Sequence, residues 1–475
     1  MPRRLAESPW LFFSLAGLLL AVAVATQIEV RPPARPVGGA SDLLGLRDRR
    51  DLNLVFVLVD TLRADRLGSY GYARETSPNF DALAREGVLF ENVLTQSSWT
   101  KTSMASLWTA TNPINHGLLH YDHVMPAEAL LPAEILRDAG FRTAGLWRNG
   151  WVAPNFGFDQ GFDSYVNPKA GAERARIQRA NPSTRPLQGT DEDLVDSARE
   201  FLDAWGHRRF FLYLHFMDVH QYVYDAESTR FGTSYSDVYD QSILWTDKLL
   251  AVLFEALIDR ELLDETLVVI AADHGEAFLE HGREGHARNL YQEVARVPFL
   301  IVPPFSIEGG VRVPELVSNI DIWPTLLDLL GLPALPNADG RSLVPLIAKA
   351  GGFEAGGPGE AEGLARRPVF SQLDRGWGQV EEAKRPLVAV QQGESKLIRH
   401  VDRPPRSEFF DLASDPGEQK NLYAARPPAL EPLEALADRY ARERKSPFGV
   451  EPPQRELSEL QRNQLKALGY LGGQE

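Results

Sequence analysis

LNLVFVLVD, residues 52–60, is an unbroken apolar, β-branched run that stops on an aspartate. A strand with one wet face alternates apolar and polar residues, so a continuous run reads as a strand buried on both faces. The pattern returns in FFLYLHF (210–216), TLVVIAA (266–272) and VPFLIV (297–302). Helix signals lie between these runs. SPNFDALAREG (77–87) spaces Phe80 and Leu83 for one helical face and ends on Gly87, and LPAEILRDAGFRTAGLW (131–147) runs from helix to strand. TDED opens a capped helix over Thr190–Gly206, and a long amphipathic helix is predicted from Tyr239 to Leu263. Strands alternating with helices predict an α/β fold with a mostly parallel sheet covered on both sides. No internal repeat is present.

In open α/β sheets, sites form beyond the carboxyl ends of the strands. Asp60, the pair Asp218 and His220, and the pair Asp273 and His274 each follow a different predicted strand, so one crevice can collect them. VIAADHGEAFLEHGREGH (269–286) packs three histidines, His274, His281 and His286, with an aspartate and three glutamates after an apolar strand. Carboxylate and imidazole together suit a divalent cation such as Zn²⁺, Mn²⁺, Mg²⁺ or Ca²⁺, and do not choose among them. Thr100, in SSWTKTSMASLWTATNP (97–113), stands before a helical segment. It reads either as a cap of the first turn or as a nucleophile that shares the crevice.

Of the 475 residues, 44% are hydrophobic and nine are tryptophan, which supplies a sizeable core and excludes a disordered chain. The net charge of −15 argues against nucleic acid, because neutralising phosphates needs clustered Lys and Arg. The chain has no cysteine, which excludes disulfides, thiolate metal sites and cysteine nucleophiles. Arg3 and Arg4 precede WLFFSLAGLLLAVAVA (10–25), longer than a signal core and short of the ~20 residues a span requires. Residues 1–30 therefore read as a signal peptide or a membrane anchor, with a periplasmic or other extracytoplasmic body and membrane contact through residues 10–25. A Pro-rich linker (31–50) leads into a catalytic α/β body (51–348), followed by a Gly-rich linker (349–366) and a smaller C-terminal unit with its tail (367–475). Asn167–Gln188, rich in Arg, Pro and Ala, reads as a surface loop or insertion.

Taken in order, VDTLRADRLGSYGY (59–72), WTKTSMASLWTATNPINHG (99–117), LHFMDVHQYVY, AADHGEAFLEHG, YQEVARVPFLIV and NIDIWPTLLDLLGLP resemble the sulfatase family of the alkaline phosphatase superfamily. DGRSLVPL, FFDLASDPGEQKNL and the closing LKALGYL extend the resemblance, which covers roughly residues 51–425. It implies an alkaline-phosphatase-like α/β/α sandwich and metallohydrolysis of phosphoric or sulfuric esters. By the same resemblance Asp60, Thr100, Asp273 and His274 would bind one divalent metal, with Thr100 as nucleophile. His220 would match the histidine that assists the leaving group, and His286 the position that contacts the transferring group. Arg63 and Asn149 match motif positions as well, and His281 reads as structural.

Two departures stand out. The family's Cys/Ser-x-Pro-Ser-Arg becomes Thr100-Lys101-Thr102-Ser103-Met104, where Lys101 reads either as a catalytic replacement for the lost positive charge or as an exposed first-turn lysine, and Thr61 stands where sulfatases carry a second aspartate. Sulfatases of the family use a formylglycine made from cysteine or serine, which threonine cannot form. Threonine variants of the superfamily work on phosphoesters, so phosphate mono- or diesters of a small molecule, glycan or lipid are the expected substrates. A head-group transferase, a true sulfatase and a non-catalytic binding relative are the alternatives.

Overall fold

The central sheet of the computed structural model is built from β1 (Asn53–Val59), β2 (Val88–Leu94), β3 (Arg142–Trp147), β4 (Ser164–Val166), β5 (Phe210–Phe216), β6 (Thr266–Ala271), β7 (Arg296–Val302) and β8 (Val311–Ser318). Residues 35–168, 177–178, 189–374 and 386–456 are described. The strand order is β8-β2-β7-β6-β1-β5-β3-β4, and each pairing is parallel except those that β7 makes with β2 and β6. Every residue of β1 and β5 is buried, as their unbroken apolar runs require of strands covered on both faces.

The helices that matter for the site are α1 (Pro78–Ala84), α2 (Thr100–Thr109), α3 (Pro132–Asp138), α4 (Asp191–Trp205), α5 (Tyr235–Ile258), α6 (Ile322–Leu329) and α7 (Val344–Gly351). Trp108 of α2 and Trp323 of α6 stack 5.2 Å apart, and Phe56 of β1 lies 5.4 Å from Trp323. Phe211 meets Trp323 while its neighbour Phe210 meets Phe201 of α4. Consecutive strand residues point to opposite faces, so α6 and α4 cover opposite sides of the sheet. The mostly parallel, doubly covered α/β arrangement is the one predicted. VPFLIV is a strand as expected, but it runs antiparallel.

A second sheet, antiparallel throughout, consists of β9 (Val369–Leu373), β10 (Leu387–Gln392), β11 (Ser395–His400) and β12 (Glu408–Asp411), with α8 (Leu430–Arg442) against it. Val388, Val390, Leu397 and Phe409 meet Leu430, Leu433 and Tyr440 there in a small core of their own.

Several boundaries differ from expectation. The stretch 31–50 is not a free tether past Arg35: Val37–Gly38 pairs with Ser306–Ile307, and the 3-10 helix Ala40–Asp48 buries Leu43 and Leu46. Those leucines outweigh the proline signal because they reach the main core. The long helix α5 starts at Tyr235 rather than Tyr239 and stops at Ile258, since Ser234 caps it through Asp237 N at 3.1 Å. Within the Gly-rich stretch, α7 extends to Gly351 and a short helix covers Glu360–Ala365. Most of Asn167–Gln188, the apolar run 10–25 and the LKALGYL tail lie outside the described residues.

Candidate active site

β6, β1, β5 and β3 are neighbours, parallel, and end on one edge of the sheet. β1 runs into Asp60, β6 into Asp273 and His274, β3 into Arg148 and Asn149, and the one-turn helix Asp218–Gln221 after β5 carries His220. The start of α2 brings Thr100 to the same place. All ten residues of α2 are buried although many are polar, which is costly unless each finds a partner. Thr102 Oγ1 donates to Leu118 O at 2.8 Å, Ser103 Oγ to Asp273 O at 2.6 Å and Thr109 Oγ1 to Ala105 O at 2.7 Å. The Ser103 bond ties the helix directly to the loop that carries Asp273.

One oxygen or nitrogen from each of Asp60, Asp273 and His274 lies within 4.8 Å of the others, and all are buried. Asp60 Oδ2 accepts from Asn149 Nδ2 at 2.7 Å and from His215 Nε2 at 3.1 Å, whereas Asp60 Oδ1 has no hydrogen-bond partner among the described residues. Asp273 Oδ1 accepts from His274 N at 2.9 Å and Thr61 N at 3.3 Å, and its Oδ2 is likewise unpartnered. A buried carboxylate oxygen without a donor is expensive, and two in one hole are stable when they share a cation. Gly275 O can only accept, so His274 Nδ1 donates to it at 3.1 Å and Nε2 is left with its lone pair. That nitrogen sits 3.3 Å from Asp273 Oδ2 and 3.0 Å from Thr100 Oγ1. The donor set of carboxylate oxygens, an imidazole nitrogen and a hydroxyl fits a divalent cation.

Without a cation, the two carboxylates and the imidazole act on one another's charge. Burial pushes Asp273 up to about 6, aided by the Asp60 charge. Burial also acts on Asp60, but the His215 hydrogen bond and the charges of His220 and His274 hold it well below the usual carboxylate range. His274 is raised: burial opposes its charge, and Asp273 and Asp60 overcome that.

Thr100 is not the cap of α2. Trp99 occupies the N-cap position and makes no side-chain capping bond, while Thr100 is the first helical residue with its hydroxyl turned to His274. The N-terminal end of a helix favours negative charge on that oxygen. His286 and His220 complete the group, with ring centroids 4.6 Å from His274 to His286 and 5.1 Å from His286 to His220. His286 Nδ1 donates to Glu276 Oε2 at 3.0 Å, and Gln221 Nε2 donates to His220 Nδ1 at 3.1 Å. Burial lowers His220 to about 4 and His286 well below the imidazole range, and lifts Glu276 to about 7. Non-glycine residues in the left-handed region flank the site at Thr61, Tyr222 and Ala287, local strain of the kind found at functional sites.

The ammonium of Lys101 is engaged in another pocket. It donates to Tyr121 O at 2.8 Å and lies 3.6 Å from the Phe156 ring centre and 5.4 Å from that of Trp151. Arg63 holds its loop, bonding Asp65 at 2.7 Å and Glu276 O at 2.9 Å. Asp218 is engaged within the fold: it takes Arg148 Nη1 at 2.5 Å and Trp245 Nε1 at 2.9 Å. His281 is bonded to Glu293 at 2.8 Å and stacked on Tyr291 at 3.6 Å. Sequence reasoning passed over His215, whose polar ring interrupts FFLYLHF two positions after Tyr213 and so shares its face. Tyr213 OH bonds His215 Nδ1 at 2.8 Å and thereby orients the ring that bonds Asp60. Gly275 was legible only as part of a motif. A Cβ there would stand 2.2 Å from Glu293 O, so the chain passes only without a side chain.

The family model described as Sulfatase matches residues 52–332, more than half of the chain. The chain belongs to the sulfatase family. This sulfatase is 29% identical to arylsulfatase A of Homo sapiens over 462 residues, which cover 82% of this chain and 88% of that protein. It is 41% identical to arylsulfatase K of Homo sapiens over 182 residues, 37% of this chain and 31% of that protein. Among solved structures it is similar to the phosphonate monoester hydrolase of Agrobacterium radiobacter, with TM-score 0.64 and 18% identity over 82% of this chain and 96% of that one. At that identity the likeness shows the fold. As a member of the family the sulfatase is an ester hydrolase, and its Asp60, Asp273 and His274 cluster can hold the divalent metal such enzymes use.

Proposed function

We propose that this sulfatase hydrolyses phosphate mono- or diesters in an extracytoplasmic compartment, with Thr100 as nucleophile and one divalent cation held by Asp60, Thr100, Asp273 and His274. The observation that carries the reading is Thr100 Oγ1 at 3.0 Å from His274 Nε2, beside the unpartnered Asp60 Oδ1 and Asp273 Oδ2. A cation bound there supplies Lewis-acid polarisation and lowers the pKa of a ligating hydroxyl. The other steps fall to the chain's own groups. Thr100 Oγ gives up its proton to solvent and forms a bond to phosphorus while the bond to the leaving oxygen breaks, and the helix end stabilises the charge on the transferring group. With His220 Nδ1 accepting from Gln221, its Nε2–H donates a hydrogen bond to the leaving oxygen, which takes its proton from solvent. Water then displaces Thr100 from phosphorus, one of its protons restoring the Thr100 hydroxyl, with His286, oriented by Glu276, beside the reacting group. Asn149 Nδ2 steadies Asp60.

Threonine cannot be converted to the aldehyde that sulfate release by elimination uses, which supports phosphorus as the centre attacked. A sulfuric ester is the second reading, and the 29% identity to human arylsulfatase A favours it. The test is a panel of aryl phosphate mono- and diesters, phosphonates and sulfates, run with defined divalent metals on wild type and Thr100→Ala. Metal-dependent phosphoester turnover that vanishes in the variant is expected. Turnover of sulfates alone, or equal rates in both proteins, overturns the proposal.

A further inference from the structure

His215 of β5 has no part in the proposed reaction, yet it stands directly behind the cation site. In the sheet it pairs with Leu58 of β1 on one side and with Trp147 of β3 on the other. Asp60 and Asn149 follow those partners by two residues, and positions two apart along a strand share a face, so the three side chains meet. The two oxygens of Asp60 are treated unequally as a result. Oδ2 takes both Asn149 Nδ2 and His215 Nε2, whereas Oδ1 has no hydrogen-bond partner among the described residues and lies 3.9 Å from His274 Nε2. Asp273 repeats the pattern: its Oδ1 takes His274 N and Thr61 N, and its bare Oδ2 lies 3.3 Å from the same His274 nitrogen. A carboxylate chelates a cation only when both oxygens have a lone pair to give, so each of these acids offers one oxygen. The donor that enforces this at Asp60 is itself held. Asp60 accepts, so His215 donates from Nε2, and its Nδ1 accepts from Tyr213 OH at 2.8 Å. The Tyr213 ring stands edge-on to Trp108 at 5.0 Å, and Tyr213 and His215 are both fully buried, so bulk water does not stand in for these bonds. One oxygen each from Asp60 and Asp273, the His274 nitrogen and the Thr100 hydroxyl suit a cation of low coordination number that accepts imidazole, such as Zn²⁺. Ca²⁺ takes roughly six to eight oxygens and often binds a carboxylate through both of its own.

We infer that His215, braced by Tyr213, is a positioning residue that holds Asp60 to a single ligand oxygen and thereby sets the cation site against Ca²⁺ and in favour of Zn²⁺. The inference rests on the cation site of the proposed function and not on the reaction, so its test is a binding measurement that needs no turnover.

Calorimetry with Zn²⁺ and with Ca²⁺ measures both affinities in wild type, His215→Leu, Tyr213→Phe and His215→Gln, counting only the heat that Asp273→Asn abolishes. Wild type should bind Zn²⁺ at least about a hundredfold more tightly than Ca²⁺. His215→Leu frees a lone pair on Asp60 Oδ2, so that preference should shrink about tenfold or more, the scale of losing a partner behind a metal ligand. Tyr213→Phe removes only a hydroxyl and should shrink it about threefold or more, which decides the matter if His215→Leu does not fold. His215→Gln, whose amide can still donate to Oδ2, should keep the preference within about twofold. A merely structural role would weaken both cations alike and leave their ratio where it was. An unchanged ratio in His215→Leu or in Tyr213→Phe, a shift in His215→Gln as large as in His215→Leu, or equal affinities in wild type overturns the inference. Binding of neither cation overturns the cation site with it, whereas failure of phosphoester turnover refutes the proposed reaction and leaves these binding results standing.

Discussion

At the residue scale, His220 and Thr100 separate the chemical roles from mere proximity. His220 is neutral near pH 7, lowered to about 4 by burial, and with Nδ1 accepting from Gln221 its Nε2–H is a donor. If it hydrogen-bonds the leaving oxygen, His220→Asn should reduce kcat about 10²-fold for alkyl leaving groups, whose oxygen carries more charge, and far less for 4-nitrophenolate. Equal losses for both leaving groups, measured in a series of graded leaving-group pKa, would remove that role. Asp60 and Asp273 allow a second check. Their bare oxygens repel in the absence of a cation, so Asp273→Asn should abolish the rise in Tm that divalent metal produces in wild type while leaving the metal-free protein folded. A metal-induced rise of the same size in the variant would show that the cation binds elsewhere.

At the element scale, buried polar links decide where the site helices sit. Arg148 Nη1, after β3, bonds Asp191 at 2.6 Å at the start of α4 and Asp218 at 2.5 Å at the start of the turn that carries His220. Arg148→Met would leave two buried carboxylates without their shared cation. A loss of about 3–5 kcal/mol is expected from urea unfolding, because breaking a buried pair from one side strands the other charge. His116 secures the other face of α2, with Nε2 donating to Ser106 Oγ at 2.9 Å and Nδ1 accepting from Leu118 N at 3.0 Å. Burial depresses its pKa from 6.5 to about 3 in the folded protein. The unfolded chain therefore takes up the proton first, so this contribution to stability is complete above pH 6.5 and is lost as pH falls toward 3. Urea midpoints across that range should show wild type losing up to about 1.4 kcal/mol per pH unit more than His116→Gln.

For the whole molecule, the small sheet is a working part of the enzyme rather than an appendage. Lys396 of β11 pairs with Glu418 at 2.7 Å, both buried, and Glu418 also accepts from Gln292 N at 2.6 Å and from His281 Nε2 at 3.0 Å. That chain of bonds joins the C-terminal sheet to the loop bearing His286. Lys396→Met should raise KM for anionic esters and speed hydrogen exchange over residues 279–291 relative to the core strands. Unchanged exchange in that loop would show that the sheet does not support it.

The apolar runs 52–60, 210–216 and 266–272, by their length and composition, fixed strands buried on both faces, and the helices between them fixed a mostly parallel sheet. The strand ends were legible for the same reason: a polar residue directly after such a run must emerge at the carboxyl edge, which is why Asp60, Asp273 and His274 were predicted as neighbours. The Arg148 network and the fate of Lys101 were not legible, since a hydrogen-bond partner far along the chain leaves no periodicity to read. His215 left only a polar break in an apolar strand. The sequence by itself determined which residues reach the edge of the sheet. Only the tertiary structure decided that Thr100 faces His274 instead of capping its helix, because the orientation of α2 is set by Trp108 against Trp323 and by Ser103 on Asp273 O, contacts between segments more than a hundred residues apart.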